Sequence, residues 1–255
     1  TVTYDLSGAN ISATLADPGT IRLEISTAQN FSATVMTHAG NGSSGATDGN
    51  RLSALFNTPS GIARDSEGNL FIADTVNHWI RLLDTSGKVT TIAGSESGFM
   101  DGDGGSARFQ FPTAIAIGPN GNLYIADTLN HAIRKLARPG SAGGAWTVST
   151  LAGTGVAGFF NGPGPAARFS FPQGLTLDQT GNVYVADTGN HLIRVIYTNS
   201  TVSTFAGSGT QGYLDGTTTT AQFNSPFGVA FDHQGDPSQN IGNLYVADRD
   251  NNRIR

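Results

Sequence analysis

The chain has 255 residues, a net charge of −5 and no cysteine, and only 13% of its residues are charged. Its two lysines, Lys88 and Lys135, and its scattered arginines form no basic cluster for phosphate, so nucleic acid is not expected as a partner. The lack of cysteine excludes disulfides and thiolate metal sites, and no apolar run approaches the ~18 residues of a membrane span.

Thr1 follows neither an initiator Met nor a signal-peptide pattern, so the sequence reads as a processed or excised piece. Little Lys and Glu, with much Gly, Ser and Thr, points to an extracellular or cell-surface protein, a periplasmic one being the other choice. The sequons at Asn10, Asn30, Asn41 and Asn199 matter only if the chain is secreted by a eukaryote.

In chain order, residues 1–40 read as a degenerate copy of the units that succeed them along the chain. TVTYDLSGANI (1–11) overlies a later first strand and turn, TIRLEI (20–25) overlies a third strand, and SATVMTHAG (32–40) overlies a fourth. Asp17-Pro18-Gly19 takes the place of the turn between the second and third strands. After that the pattern is clear. Alternating apolar and polar residues predict strands near 61–65, 69–75, 78–84 and 88–94. The next unit has them at 114–118, 122–128, 131–137 and 146–153, with an inserted loop at 137–145. The following unit has them at 174–178, 182–188, 191–197 and 201–207. The last has FGVAFD (227–232), an enlarged turn at 233–242, then NLYVADR and a final NNRIR, with no fourth strand.

The second and third strands of these units are copies: GNLFIADTVNHWIRLL (68–83), GNLYIADTLNHAIRKL (121–136), GNVYVADTGNHLIRVI (181–196) and GNLYVADRDNNRIR (242–255). The aspartates after Ala, at 74, 127, 187 and 248, are 53, 60 and 61 residues apart, the signature of a repeat architecture. The fold class is therefore all-β: a β-propeller of four-stranded antiparallel blades in one domain over 1–255. Five blades are visible, at about 1–40, 41–94, 95–153, 154–207 and 208–255. The first is degenerate and the last lacks its outer strand. Either a neighbouring segment supplies that strand or the chain continues, with room for a sixth blade.

The run A-D-T-x-N-H-x-I-R resembles the NHL repeat, and Asn190-His191-Leu192 spells out its name. The preceding T-x-A-G-x-G and A-x-F-x-x-P-x-G elements resemble long-period NHL propellers of bacterial surface proteins, and the propeller of the teneurins is similar. The likeness covers about residues 31–255. It implies the propeller fold without choosing a function, since NHL propellers include protein-binding platforms, RNA readers and a few metal-dependent enzymes.

The residues that carry charge recur in every copy. Asp74 with Arg81, Asp127 with Arg134, Asp187 with Arg194 and Asp248 with Arg255 are each seven residues apart across a hairpin. They are expected to be structural clasps, the Asp capping the turn and the Arg returning to it bidentately. His78, His131 and His191 share one slot, held by Asn252 in the last copy. Their ring is expected to be too wide for one zinc ion, leaving a turn-stabilising role. The first strands, which should line the axis, offer Ile62-Ala63-Arg64, Ala114-Ile115-Ala116, Leu175-Thr176-Leu177 and Val229-Ala230-Phe231, with Asp65, Asp178 and Asp232 at strand ends. That set predicts no metal and no cofactor. Asp101-Gly-Asp103-Gly lacks the later ligands of a calcium loop, and no G-x-S-x-G, Walker or H-E-x-x-H motif occurs.

The loops leading into each blade carry Phe99-Met100, Phe159-Phe160 and Tyr213-Leu214. These pairs either tuck between blades or form a docking surface on the face that holds the D-T-x-N-H turns. The first reading of function is a non-enzymatic extracellular or cell-surface module that binds or scaffolds a protein or glycan. The alternatives are a metal-dependent lyase or lactonase-like propeller and a subunit that self-associates through its open last blade.

Overall fold

Proline opens the innermost strand of every blade, at Pro59, Pro112, Pro172 and Pro226. The first residue of a strand tolerates the missing N–H. The structure is a computed structural model, and it describes residues 9–17, 20–27, 34–140, 144–232 and 242–255. It divides into two compact units, Thr1–Thr37 and His38–Arg255.

In the first unit, β1 (Ala9–Asp17) and β2 (Thr20–Thr27) pair antiparallel from Ala9 with Thr27 to Asp17 with Thr20, with a bulge between Leu15 and Asp17. These fall where the degenerate copy predicts second and third strands. Its predicted first strand and the Pro18-Gly19 turn lie outside the described residues. Over 34–40 the predicted fourth strand does not form. Val35 and Met36 are exposed there, so no neighbouring surface rewards their apolar character.

The second unit is a row of antiparallel sheets. The first contains β3 (Gly49–Asn50), β4 (Pro59–Arg64), β5 (Leu70–Asp74), β6 (Trp79–Leu83) and β7 (Lys88–Ala93), in the order β3-β7-β6-β5-β4. The second repeats it with β8 (Gly102–Asp103), β9 (Pro112–Ile117), β10 (Leu123–Asp127), β11 (Ala132–Ala137) and β12 (Thr147–Ala152). The third has β13 (Gly162–Pro163), β14 (Pro172–Leu177), β15 (Val183–Asp187), β16 (Leu192–Ile196) and β17 (Thr201–Ala206). The fourth has three strands, β18 (Pro226–Phe231), β19 (Leu244–Asp248) and β20 (Arg253–Ile254). This is an all-β, four-blade propeller-like arrangement. The predicted count of five would need the N-terminal hairpin as well, and the described residues give that hairpin two strands.

Each complete blade has one more strand than predicted. Two residues of the lead-in loop pair outside the fourth strand, as Gly102 with Val148 and Asp103 with Thr147. That pairing covers an otherwise open sheet edge. A two-residue strand is too short to leave any alternation in the sequence.

Blades pack through their apolar faces. Phe71, Ile80, Phe109, Ile115 and Ile125 form one buried layer between the first and second sheets. Phe169, Val185, Ile133, Leu175 and Val202 form the next, and Ala186, Ile193, Phe223 and Val246 the third. Inner strands approach closely at a glycine of the first blade and one of the third. A Cβ at Gly61 would stand 2.8 Å from Ala114 Cα and Thr113 O. At Gly174 it would collide with the backbone of Phe227 and Gly228. Within this unit the outer flanks of the first and last sheets are open, leaving Ile62, Tyr245 and Ile254 exposed.

The pairings of Pro112 with Asp127 and of Ile133 with Ala152 put the turns after the second strands at the same end as the lead-in loops. These two sets of segments form one face. Gly174→Val should lower stability by about 1–3 kcal/mol through overpacking. Gly228→Ala, whose Cβ meets only Ala247 Cβ at 3.7 Å, should leave the urea midpoint nearly unchanged. Equal midpoints for both variants would show that inner strands have room to separate.

Candidate functional site

The face of turns and lead-in loops is organised by the repeated Asp, Thr, Asn, His and Arg. Each second strand ends on a single 3₁₀ turn, Thr75–Asn77, Thr128–Asn130, Thr188–Asn190 or Arg249–Asn251. The preceding Asp makes no cap bond to that turn. Its Oδ1 instead accepts a loop N–H from Asn57, Gln110, Ser170 or Asn224, each at 2.7 Å. Its Oδ2 accepts from the turn Asn and from the Arg of the third strand. The Arg–Asp distance is 2.7 Å in three blades and 3.1 Å between Arg255 and Asp248.

The expected bidentate return is thus a single contact, because the rest of the fork is engaged elsewhere. Arg134 Nη1 also donates to Arg108 O at 2.9 Å, and its Nη2 donates to Met100 O at 2.8 Å and Asp101 Oδ1 at 2.6 Å. Arg81 makes the same set with Leu55 O, Thr47 O and Asp48. Arg194 uses Arg168 O, Phe160 O and Asn161, and Arg255 uses Gln222 O, Leu214 O and Asp215. One guanidinium therefore holds a whole lead-in loop to its hairpin, a task that needs its planar set of donors. The plane is also flanked by rings: Arg134 between Phe99 and Phe109 at 4.9 and 5.1 Å, Arg194 between Phe159 and Phe169 at the same distances.

Burial is the larger influence on Asp127 and Asp187 and pushes both up to about 6, against the pull of Arg134 and Arg194. The electrostatic contribution of these carboxyls is therefore full below 3.8 and is lost as pH rises through about 6. At neutral pH the pairs persist as hydrogen-bonded centres, with Nε of Arg134 and of Arg194 buried without a partner, rather than as a net Coulombic gain. In Asp101 desolvation is overcome by hydrogen bonds from Arg134 and Thr150, which lower the carboxyl.

Thr and His join blade to blade. Thr75, Thr128 and Thr188 donate their hydroxyls to Pro112 O, Pro172 O and Pro226 O of the following blade, at 2.7, 2.7 and 2.6 Å. His78, His131 and His191 close the turns in the left-handed region, and each Nδ1 accepts an N–H from the next blade, of Phe111, Phe171 or Ser225, at 3.1–3.2 Å. Phe111, Phe171 and Ser225 are themselves left-handed, with φ of 49–53°. Sequence reasoning gave these histidines to the turn and missed the joint, because the partner lies 33–40 residues away. Among the described residues no three His, Asp or Glu side chains come together to hold a metal ion.

Phe99, Met100, Phe159, Phe160, Tyr213 and Leu214 are all partly exposed, from 40% at Met100 to 64% at Tyr213. Phe111 and Phe171 join them at 37% and 42%, Phe111 tilted against His78 and Phe171 edge-on to His131. Those two were not foreseen, because each sits in the left-handed region just before an inner strand, where period-two alternation does not set the direction of a side chain.

Residues 56–81, 109–136 and 169–196 match the model of the NHL repeat. The last copy, with Arg249 and Asn252 in the Thr and His slots, falls outside these segments. Protein SUPPRESSOR OF QUENCHING 1, chloroplastic, of Arabidopsis thaliana is 36% identical over 155 residues, which is 56% of this chain and 14% of that protein. NHL repeat-containing protein 2 of Bos taurus is 36% identical over 168 residues, 60% of this chain and 22% of that protein. The chain thus spans less than a quarter of either relative's length. Among solved structures, an auxiliary nutrient binding protein from Bacteroides ovatus aligns with a TM-score of 0.63 at 22% identity, over 79% of this chain and 48% of that one. A streptogramin B lyase aligns at 0.50 with 16% identity, over 82% and 53%. Both likenesses are of fold.

Arg134→Leu should destabilise the chain by about 3–5 kcal/mol, because Asp127 would be left as a buried carboxylate without its cation. Arg134→Lys should recover only part of this, and full recovery in denaturation would show that the fork is unnecessary. Burial lowers the pKa of His78 and His131 below 6.5. A depressed value means that their joints are intact above 6.5 and lost as pH falls through the folded-state value. The Phe111 and Phe171 amides should lose exchange protection with the same midpoint as the imidazole resonances. Protection that does not change with imidazole titration would refute the joint.

Proposed function

We propose that this chain, an NHL-repeat propeller segment, is a non-enzymatic binding module whose macromolecular partner, protein or glycan, docks on the face of lead-in loops and D-T-x-N-H turns. The observation that carries this reading is the series of partly exposed apolar pairs, Phe99-Met100, Phe159-Phe160 and Tyr213-Leu214, on successive loops of that face. Aromatic residues and Met are enriched in interfaces, and each loop is held rigid by its arginine, so little order must be gained on binding. The auxiliary nutrient binding protein from Bacteroides ovatus gives the fold a precedent in binding. A low charged fraction and a Gly-, Ser- and Thr-rich composition support placement outside the cell or at its surface.

Met100, Phe160 and Leu214 test the reading best, because the rings flanking an arginine in these loops are Phe99, Phe159 and Tyr213. A triple alanine variant at Met100, Phe160 and Leu214 should keep its denaturation midpoint and lose more than about tenfold in affinity for partners captured from glycan and envelope-protein arrays, as for central interface residues. Equal capture by variant and parent would overturn it.

A further inference from the structure

On each blade, one position of the lead-in loop corresponds to one of the hairpin, and in the first two complete blades a large residue at one is matched by a small residue at the other. In the first complete blade the hairpin supplies Trp79, whose indole N–H donates to Ser95 O at 2.8 Å, and the matching loop position is Ala46. In the second the hairpin has Ala132 and the loop has Phe99, whose ring lies 3.0 Å from where a Cβ on Gly155 would stand. In the last, Arg253 lies over Tyr213 at 4.8 Å.

The third blade also has two large residues, Leu192 and Phe159, but among the described residues no stacking like that of Arg253 on Tyr213 joins them. Leu192 is buried with its Cδ2 3.0 Å from the Cβ position of Gly207. No atom of Phe159 comes within 4 Å of the Cβ position of Gly209, the counterpart of Gly155. Gly189 also stands where Val76 and Leu129 stand in the other copies. A groove of about 390 Å³ is left open, lined by Phe159, His191, Leu192, Thr204, Ser208 and Thr210 with the glycines between them. That volume is within the range of small-molecule sites.

Its chemistry is neutral and rich in donors. No Asp, Glu, Lys or Arg lines it. His191 Nδ1 accepts the Ser225 N–H, so the neutral ring carries its proton on Nε2. In the two preceding blades the N–H of Thr91 or Thr150 donates to a carboxylate, Asp48 or Asp101. Here Asn161 replaces that carboxylate, with Oδ1 on Arg194 and Nδ2 on Thr204 Oγ1. No acidic oxygen is offered to the Thr204 N–H. Phe159 is 55% exposed and rests on Arg194.

We infer that this groove binds a neutral pyranose, with Phe159 as the stacking platform. The inference rests on the reading of this face as a binding surface. A pyranose has an apolar C–H face for the ring and a rim of hydroxyls for Thr204, Ser208, Thr210 and His191. A phosphorylated or carboxylated ligand would find no cation among the lining side chains.

The ¹⁵N-labelled chain is titrated with methyl glucoside, methyl galactoside, methyl mannoside, methyl N-acetylglucosaminide and, as a charged probe, glucuronate. The expected result is saturable shifts at the amides of Gly189, His191, Thr204 and Ser208 to Thr210 with at least one neutral glycoside. Affinity should fall about tenfold or more in Phe159→Ala and fall again in Thr210→Val, which keeps the shape and removes a hydroxyl. Silence with every neutral glycoside, shifts centred elsewhere, indifference to both substitutions, or a preference for glucuronate would overturn it. If the glycosides are silent while the Met100, Phe160 and Leu214 variant still loses a macromolecular partner, the sugar site falls and the binding face stands.

Discussion

A buried guanidinium must be surrounded by acceptors, and this requirement shapes every blade. Arg81, Arg134 and Arg194 are wholly buried. Each collects a hairpin carboxylate, two loop carbonyls and a second loop side chain. Fixing the arginine therefore fixes the path of about twenty residues that would otherwise be a long surface loop, a segment type that is usually mobile. The loop in turn contributes the short outer strand that covers the sheet edge. Hairpin, loop and edge strand are one cooperative object.

The second constraint acts between blades and uses neutral groups. A threonine hydroxyl and an imidazole acceptor reach forward to a proline carbonyl and an N–H held in the left-handed region. These bonds fix the register between sheets, while the apolar layers of Phe71 with Phe109 and of Ile133 with Phe169 supply the bulk of the attraction. Close packing at Gly61 and Gly174 is possible only because those bonds hold the inner strands in one alignment.

Much of this was legible in the sequence. Period-two alternation located the strands of the complete blades to within about two residues, and the seven-residue spacing found each Asp–Arg contact. What stayed hidden depends on distance along the chain. The Arg108 carbonyl lies 26 residues before Arg134, and the His131 partner lies 40 residues after it. No periodic signal joins such positions. The overlay of residues 32–40 on a later fourth strand failed for the opposite reason. Local resemblance was present, but a strand also needs an edge to pair with.

The trade between Trp79 with Ala46 and Ala132 with Phe99 has a wider meaning. Since either wall of the groove can furnish the bulky residue, a change in one wall can be answered from the other without disturbing the arginine beneath. Blades that are architecturally interchangeable are thereby free to diverge in what they present to solvent. Modularity here separates two vocabularies, an invariant one that keeps the chain folded and a variable one in which each repeat can become individual.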